Sequence, residues 1–324
     1  MITEESKCIT ILAFNYGAAG KVVNGPGICL FNFIKILKKE FPYISINLFT
    51  QLRSADENIF YNTHNIKNTA LLKESIKKSL VVHHWSGISD IYSDIISFAN
   101  LLGKTVLIGP NVIDTVEYQK EKRYLSRVKF NKILTVNKRL RFKISKEHDI
   151  PIGLVRLLMI GPDLDLWRPS EKNNGKILWK GNSRQFVKDI EFGIKVSEKL
   201  NKYEFSFLGY PEPYDYFGHI DFARDCKLYF STSLSETMGM SLVEQWACGI
   251  PSVTHPNIYL HGSNYETGII ASRTINDYCD AISEIMENDT LYHELSGGCV
   301  KFVQENFNHN LIIKNYLNLL NPEL

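Results

Sequence analysis

The sequence predicts an α/β protein of two doubly wound domains, each a parallel sheet with helices on both faces. Three observations predict it. Short, nearly continuous apolar runs alternate with helix-length amphipathic stretches along the chain. The alternation restarts after a polar, proline-bearing segment at residues 161–174 (GPDLDLWRPSEKNN). The length of 324 residues suits about two domains of ~150 residues each.

The first series opens with the apolar run 8–16, which ends at Gly17. Residues 28–39 carry apolar side chains at helical spacing, and 44–49 read as a strand. A strand at 79–85 is followed by a helix at 88–102 and a strand at 105–108 that stops at Gly109-Pro110. Residues 132–136 and 155–160 are two further short strands. The second series places strands at 176–179, 203–208, 228–231 and 252–254, with Ile269-Ile270 in one more. Thr274 and Asp277 have the spacing of a capping box and open a helix that runs to about residue 286. Helices at about 291–305 and 310–320 close the chain. The predicted domains are therefore 1–165 and 166–324, with a ligand expected between the facing carboxyl ends of their strands.

Composition excludes several classes. Hydrophobic residues make up 44% and charged residues 22%, close to the globular average, so disordered and fibrous chains are ruled out. No apolar run approaches the ~18 residues of a membrane span. The opening MITEESKCIT has acids where a signal peptide has basic and then apolar residues, and a cytoplasmic protein is expected. The six cysteines, from Cys8 to Cys299, show no CxxC spacing, so buried free thiols are expected rather than a zinc site or disulfide framework. The net charge of +2 hides an asymmetry. Residues 1–165 hold 23 Lys and Arg against 15 Asp and Glu, whereas residues 166–324 hold 14 against 20. Such a split points to different partners for the two halves.

Chemistry concentrates in residues 231–251, STSLSETMGMSLVEQWACGIP. Glu236 and Glu244 are separated by seven residues, the first in a loop and the second two turns into a helix. Gly239 permits a tight turn, and Met238, Gly239, Met240 and Ser241 offer backbone N–H groups at the helix start, where phosphate binds well. A carboxylate just before that helix can accept from sugar hydroxyls, and Glu244 can reach a ribose diol. In the first half, Asn24-Gly25-Pro26-Gly27 opens a helix after the first strand, and Gly25 and Gly27 permit close approach to a phosphate or acceptor. No G-x-G-x-x-G follows that strand, which disfavours a Rossmann oxidoreductase.

Glu236-x7-Glu244 followed by Gln245-Trp246-Ala247-Cys248-Gly249-Ile250-Pro251 resembles the hallmark of retaining glycosyltransferases of the GT-B fold, family 4. Thr267-Gly268-Ile269-Ile270 resembles that family's "tGllv" strand, and residues 159–169 its interdomain signature. The tail resembles its C-terminal helices, which often pack back on the first domain. The resemblance implies two Rossmann-like domains facing across a cleft. It implies that Glu236 contacts the transferred sugar, that Glu244 binds the ribose, and that the amides between them hold the diphosphate. The family pattern G-R-x-x-x-x-K-G implies cations for the departing diphosphate. Here Arg184 and Lys188 are the candidates, in a shifted register, with Asn182 near the usual Arg and Asp189 in place of the last Gly. A solvated i,i+4 pair is the competing reading for Arg184 and Lys188.

The family often has a His at the end of the strand carrying His83-His84-Trp85. His84 is the favoured site residue, because the loop starts just after it, while His83 and Trp85 remain acceptor-side candidates. Asp163-x-Asp165 lies in the interdomain signature and reads as structural. No prosthetic group and no essential metal are expected; a nucleotide-diphosphate sugar is the expected donor. Front-face retaining transfer would let the leaving phosphate take the acceptor proton. A non-catalytic sugar-nucleotide binder, or a degenerate partner subunit, is the alternative.

Residues 117–146 hold 11 Lys and Arg against two Glu, with Tyr118, Tyr124, Phe130 and Phe142 interleaved. This is either a solvated pair of helices or an anionic-surface contact. The acceptor is then a saccharide, a lipid-linked saccharide at a membrane surface, or a hydroxymethylated pyrimidine in phage-type DNA.

Overall fold

The computed structural model describes residues 8–14, 25–51, 63–212, 215–258 and 264–320. The chain forms two compact units. Unit 1 comprises Met1–Ile160 and His309–Leu324, and unit 2 comprises Gly161–Asn308.

Unit 1 contains, in chain order, β1 (Cys8–Ala13), α1 (Gly25–Glu40), β2 (Ser45–Thr50), β3 (Thr63–Asn65), α2 (Thr69–Lys78), β4 (Val81–Ser86), α3 (Asp90–Leu101), β5 (Thr105–Asn111), α4 (Tyr118–Leu125), β6 (Lys132–Thr135), α5 (Lys138–Glu147) and β7 (Val155–Leu157). Its seven strands are all parallel, in the order β3-β2-β1-β4-β5-β6-β7. β1 and β4 are buried along their whole length because helices cover both sheet faces, which is why neither sequence alternates apolar with exposed polar residues. Leu12, Val82, Ile108 and Ile133 from the strands meet Ile96 and Ile144 from the helices in one core. β3 goes beyond the strands expected above. It is a three-residue edge strand, THN, with no apolar residue to announce it.

Unit 2 contains β8 (Ile177–Lys180), α6 (Ile190–Lys199), β9 (Phe205–Leu208), α7 (Ile220–Arg224), β10 (Leu228–Phe230), α8 (Met240–Ala247), β11 (Ser252–Thr254), α9 (Asn264–Thr267), β12 (Gly268–Ile270), α10 (Ile275–Glu287) and α11 (Asp289–Asn306). Its five parallel strands are ordered β12-β11-β10-β8-β9. Thr274 caps α10 by accepting from the Asp277 amide at 3.1 Å. Gly268 must be glycine for a steric reason, since a Cβ there would stand 1.9 Å from the Ser252 carbonyl oxygen on β11.

The last helix, α12 (His309–Leu320), returns to unit 1 and packs on α1. Tyr316 stacks on His83 with ring centroids 5.6 Å apart and meets Phe33 edge-on at 4.8 Å. All six cysteines are free and buried. Among the described residues no helix is long and apolar enough to cross a membrane.

Candidate functional site

Two neighbouring strands of unit 2 carry the site. β8 and β10 run side by side and parallel, so the loops leaving their carboxyl ends, 181–189 and 231–239, are adjacent. Ligands of doubly wound sheets gather at this edge. The first loop ends in a 3-10 turn, Phe186–Lys188, and then Asp189, whose side chain caps α6. Asp189 has φ 43° and ψ 59°, the left-handed region that glycine adopts cheaply and Asp tolerates better than most residues.

The two loops are stitched together. The Leu234 amide donates to the Val187 carbonyl at 2.7 Å, and the Thr232 hydroxyl donates to the Lys188 carbonyl at 2.8 Å. Trp179 Nε1 donates in turn to the Thr232 hydroxyl oxygen at 2.8 Å. Across this seam Lys188 forms an ion pair with Glu236, the two side chains only 18% and 17% exposed. The second loop is held from behind: the Tyr278 hydroxyl donates to the Ser231 carbonyl at 2.8 Å, and His255 Nε2 meets the Ser233 carbonyl. Burial lowers the His255 pKa, so this imidazole is neutral at pH 7.

Gly239 ends the loop at φ 62° and ψ 54° and caps α8. Its carbonyl accepts from the amides of Leu242 and Val243 at 2.9 and 3.1 Å. Met240 and Ser241 occupy the first turn, where amides have no intrahelical acceptor, and Met238 is buried just before it. The structure thus places Glu236, Lys188 and residues 238–241 at one edge. Arg184 is exposed on the first loop, outside the Lys188–Glu236 pair, and its amide donates to Asn182 Oδ1. Because the segment is loop and 3-10 turn, Arg184 and Lys188 do not form the i,i+4 helical pair considered above.

Glu244 is 1% exposed, and each carboxylate oxygen has a protein partner. Lys180 Nζ donates to Oε2 at 2.6 Å, and the Tyr216 hydroxyl donates to Oε1 at 2.6 Å. Trp167 Nε1 donates to the Tyr216 oxygen at 3.0 Å, while the Lys180 ammonium lies 4.2 Å from the Trp167 ring centroid. Lys180, Tyr216 and Trp167 escaped the sequence reading. Lys180 left one trace, a charge closing the apolar strand ILWK, and Trp167 lay within the interdomain signature without a site role, whereas Tyr216 left none.

In unit 1, His83 and His84 point to opposite faces of β4, and neither has any exposed surface. His83 Nε2 meets the Gly109 carbonyl at 2.7 Å and Nδ1 meets the Tyr316 hydroxyl at 3.1 Å. His84 stacks on Tyr92 and its Nδ1 meets the Tyr124 hydroxyl at 2.5 Å. Burial lowers their pKa values to about 4 and about 3, so both rings are neutral at pH 7. Trp85 is fully buried against Phe33, and its Nε1 donates to the Pro26 carbonyl at 3.2 Å. Gly25 and Gly27 form the first turn of α1, Gly25 exposed and Gly27 buried; Asn24 lies outside the described residues. Asp163 is buried and accepts from the Asp165 amide, a turn within the chain. Among the described residues no group of three or more His, Cys, Asp or Glu is placed to hold a metal ion.

The fold is shared with known structures. Sucrose-phosphate synthase from Thermosynechococcus elongatus is 15% identical with a TM-score of 0.70, covering 97% of this chain and 98% of that one. A glycosyltransferase from Rickettsia africae is 15% identical with a TM-score of 0.72, again covering 97% and 98%. HepE from Anabaena, in complex with UDP and glucose, is 13% identical with a TM-score of 0.71, covering 97% and 99%. No curated protein matches the chain by sequence. Residues 194–298 match the family model described as glycosyl transferases group 1, a span that includes Glu236, Gly239 and Glu244. The chain has the GT-B fold of these structures. The matched span begins within α6 and ends within α11. It therefore takes in the second site loop, while Lys188 and Lys180 lie before it.

Proposed function

We propose that the chain is a nucleotide-sugar-dependent glycosyltransferase that transfers its sugar with retention of anomeric configuration, with unit 2 as the donor side and unit 1 as the acceptor side. One observation carries the reading: the Lys188–Glu236 ion pair beside the N-terminus of α8. Glu236 accepts from hydroxyls of the transferred sugar. The amides of residues 238–241 and the Lys188 ammonium stabilise the charge that grows on the diphosphate. The bond between the sugar C1 and the phosphate oxygen breaks, that oxygen takes the proton of the acceptor hydroxyl, and the acceptor oxygen bonds C1 from the same face. Glu244 holds the ribose. We assign the enclosed, neutral His83 and His84 to packing, and leave the charge stabilisation to Lys188 rather than to the exposed Arg184.

HepE binds UDP and glucose, so UDP-glucose is the first donor to test. A thermal-shift panel of UDP-, GDP-, ADP- and dTDP-sugars should raise the melting temperature with the true donor, because that donor binds only the native state. NMR of the transfer product then reads the anomeric configuration. An inverted product would sink the retaining mechanism, and binding without transfer or hydrolysis would sink the catalytic role of the pair.

On the acceptor side, α5 presents exposed Lys138, Arg139, Lys143 and Lys146 around Phe142, which is 64% exposed. The other three aromatics of this region serve packing: Tyr124 bonds His84, Tyr118 stacks on His148, and Phe130 joins the core. A cationic face with a central aromatic suits an anionic lipid surface bearing a saccharide acceptor. Vesicles of phosphatidylserine and phosphatidylcholine should therefore bind the enzyme in a salt-sensitive manner, and Phe142→Ser should weaken that binding. Salt-sensitive binding to duplex DNA in place of vesicles would move the acceptor to nucleic acid.

A further inference from the structure

Asp189 is out of character where it stands. It follows Lys188 directly, so it sets a carboxylate one residue from the cation assigned to the donor diphosphate. Its backbone is left-handed, at φ 43°, in the position where the resembled family pattern has glycine. Asp can hold this conformation, and its side chain accepts from the Phe192 amide at 3.4 Å. Its charge, however, has no use beside a diphosphate. Arg273 answers that charge. It reaches Asp189 from the segment between β12 and α10, 84 residues away in sequence, and forms an ion pair with it. The guanidinium also lies 4.9 Å from the Phe192 ring centroid on α6, which fixes its plane. Both side chains are about three-quarters buried, so the pair is partly shielded from solvent.

We infer that Arg273 is a positioning residue for the diphosphate site: it neutralises Asp189 and thereby keeps the Lys188 ammonium directed to Glu236 and the donor phosphate. The inference rests on the donor-side reading of Lys188 given above. Without Arg273, the Asp189 carboxylate competes for Lys188 and repels the β-phosphate. With glycine at 189 the charge is gone and Arg273 is no longer needed. An N-cap Asp exchanged for Gly loses little helix stability, so the two changes together should restore what the single change removes.

The test titrates UDP, GDP, ADP and dTDP, each beside its monophosphate, into wild type, Arg273→Met, Asp189→Gly/Arg273→Met and Lys188→Met. For the nucleotide that binds wild type, Arg273→Met is expected to weaken diphosphate affinity roughly tenfold, the scale of one partly buried charge contact. Monophosphate affinity should stay within about twofold. The double variant should return diphosphate affinity to within about threefold of wild type, on the same coupling logic. A purely structural role for Arg273 predicts the opposite, with both nucleotides weakened alike and the double variant no better than the single. That result would overturn the inference alone, provided Lys188→Met still loses diphosphate affinity. If Lys188→Met binds diphosphates as wild type does, the donor-side reading falls and takes the inference with it.

Discussion

Replacing Lys188 with methionine is expected to lower kcat by about 100- to 1,000-fold, the cost of removing one pre-placed group that meets developing charge. Methionine keeps the apolar stem, whose Cδ position lies where a Cβ at Gly181 would meet it, so the variant should melt close to wild type. The site favours a large effect. The Thr232 hydroxyl fixes the Lys188 backbone through its carbonyl and the ion pair to Glu236 fixes the ammonium, so the charge is in place before the donor arrives. A loss in kcat with little change in donor KM would mark Lys188 as acting on the transition state, and a rise in KM at constant kcat would reduce it to a uniform binding contact. Steady-state kinetics with the donor identified by thermal shift decide between them. A variant as fast as wild type would remove Lys188 from the mechanism.

The second large effect concerns stability. Lys180→Met should destabilise unit 2 by about 3–5 kcal/mol, because it strands a buried carboxylate. Glu244 is 1% exposed and relies on Lys180 for charge compensation, with Tyr216 supplying one neutral hydrogen bond. For a unit of this size the melting temperature should fall by roughly 6–20 °C, at about 2–4 °C per kcal/mol. Lys180→Met/Glu244→Leu should recover most of that loss, since apolar replacement of a buried ion pair is often neutral or better. The same double variant should bind the donor poorly if Glu244 holds the ribose. Calorimetry of the three proteins separates the two roles. An unchanged melting temperature in Lys180→Met would mean that Glu244 is not the isolated buried charge described here.

Much of this was legible in the sequence where local pattern and chemistry coincide. The alternation of apolar runs and helices marks both sheets, since strands covered on both faces cannot hide their apolarity. Glu236, Gly239 and Glu244 sit on one loop and one helix, so their spacing is informative by itself. Thr274 and Asp277 cap a helix three residues apart. Contacts distant in sequence were silent. Lys180 meets Glu244 across 64 residues and Arg273 meets Asp189 across 84, and no periodicity links them. Asp189 was visible as a departure from a family pattern, but its compensation was not, because a left-handed backbone leaves no mark on an aspartate. His83 and His84 show the limit of a local pattern. Paired histidines at a strand end suggest chemistry, yet the two faces of the strand give each its own aromatic enclosure.

The position of α12 also sets an order of assembly during synthesis. Unit 2 is contained in Gly161–Asn308, so every residue it needs has been made before α12 is translated. Unit 1 must wait. Phe33 and His83 are translated before unit 2, but the Tyr316 ring that covers them is translated after it. Unit 1 therefore closes only after all of unit 2 has been made, and until then a nascent chain carries an uncapped aromatic cluster at Phe33 and His83.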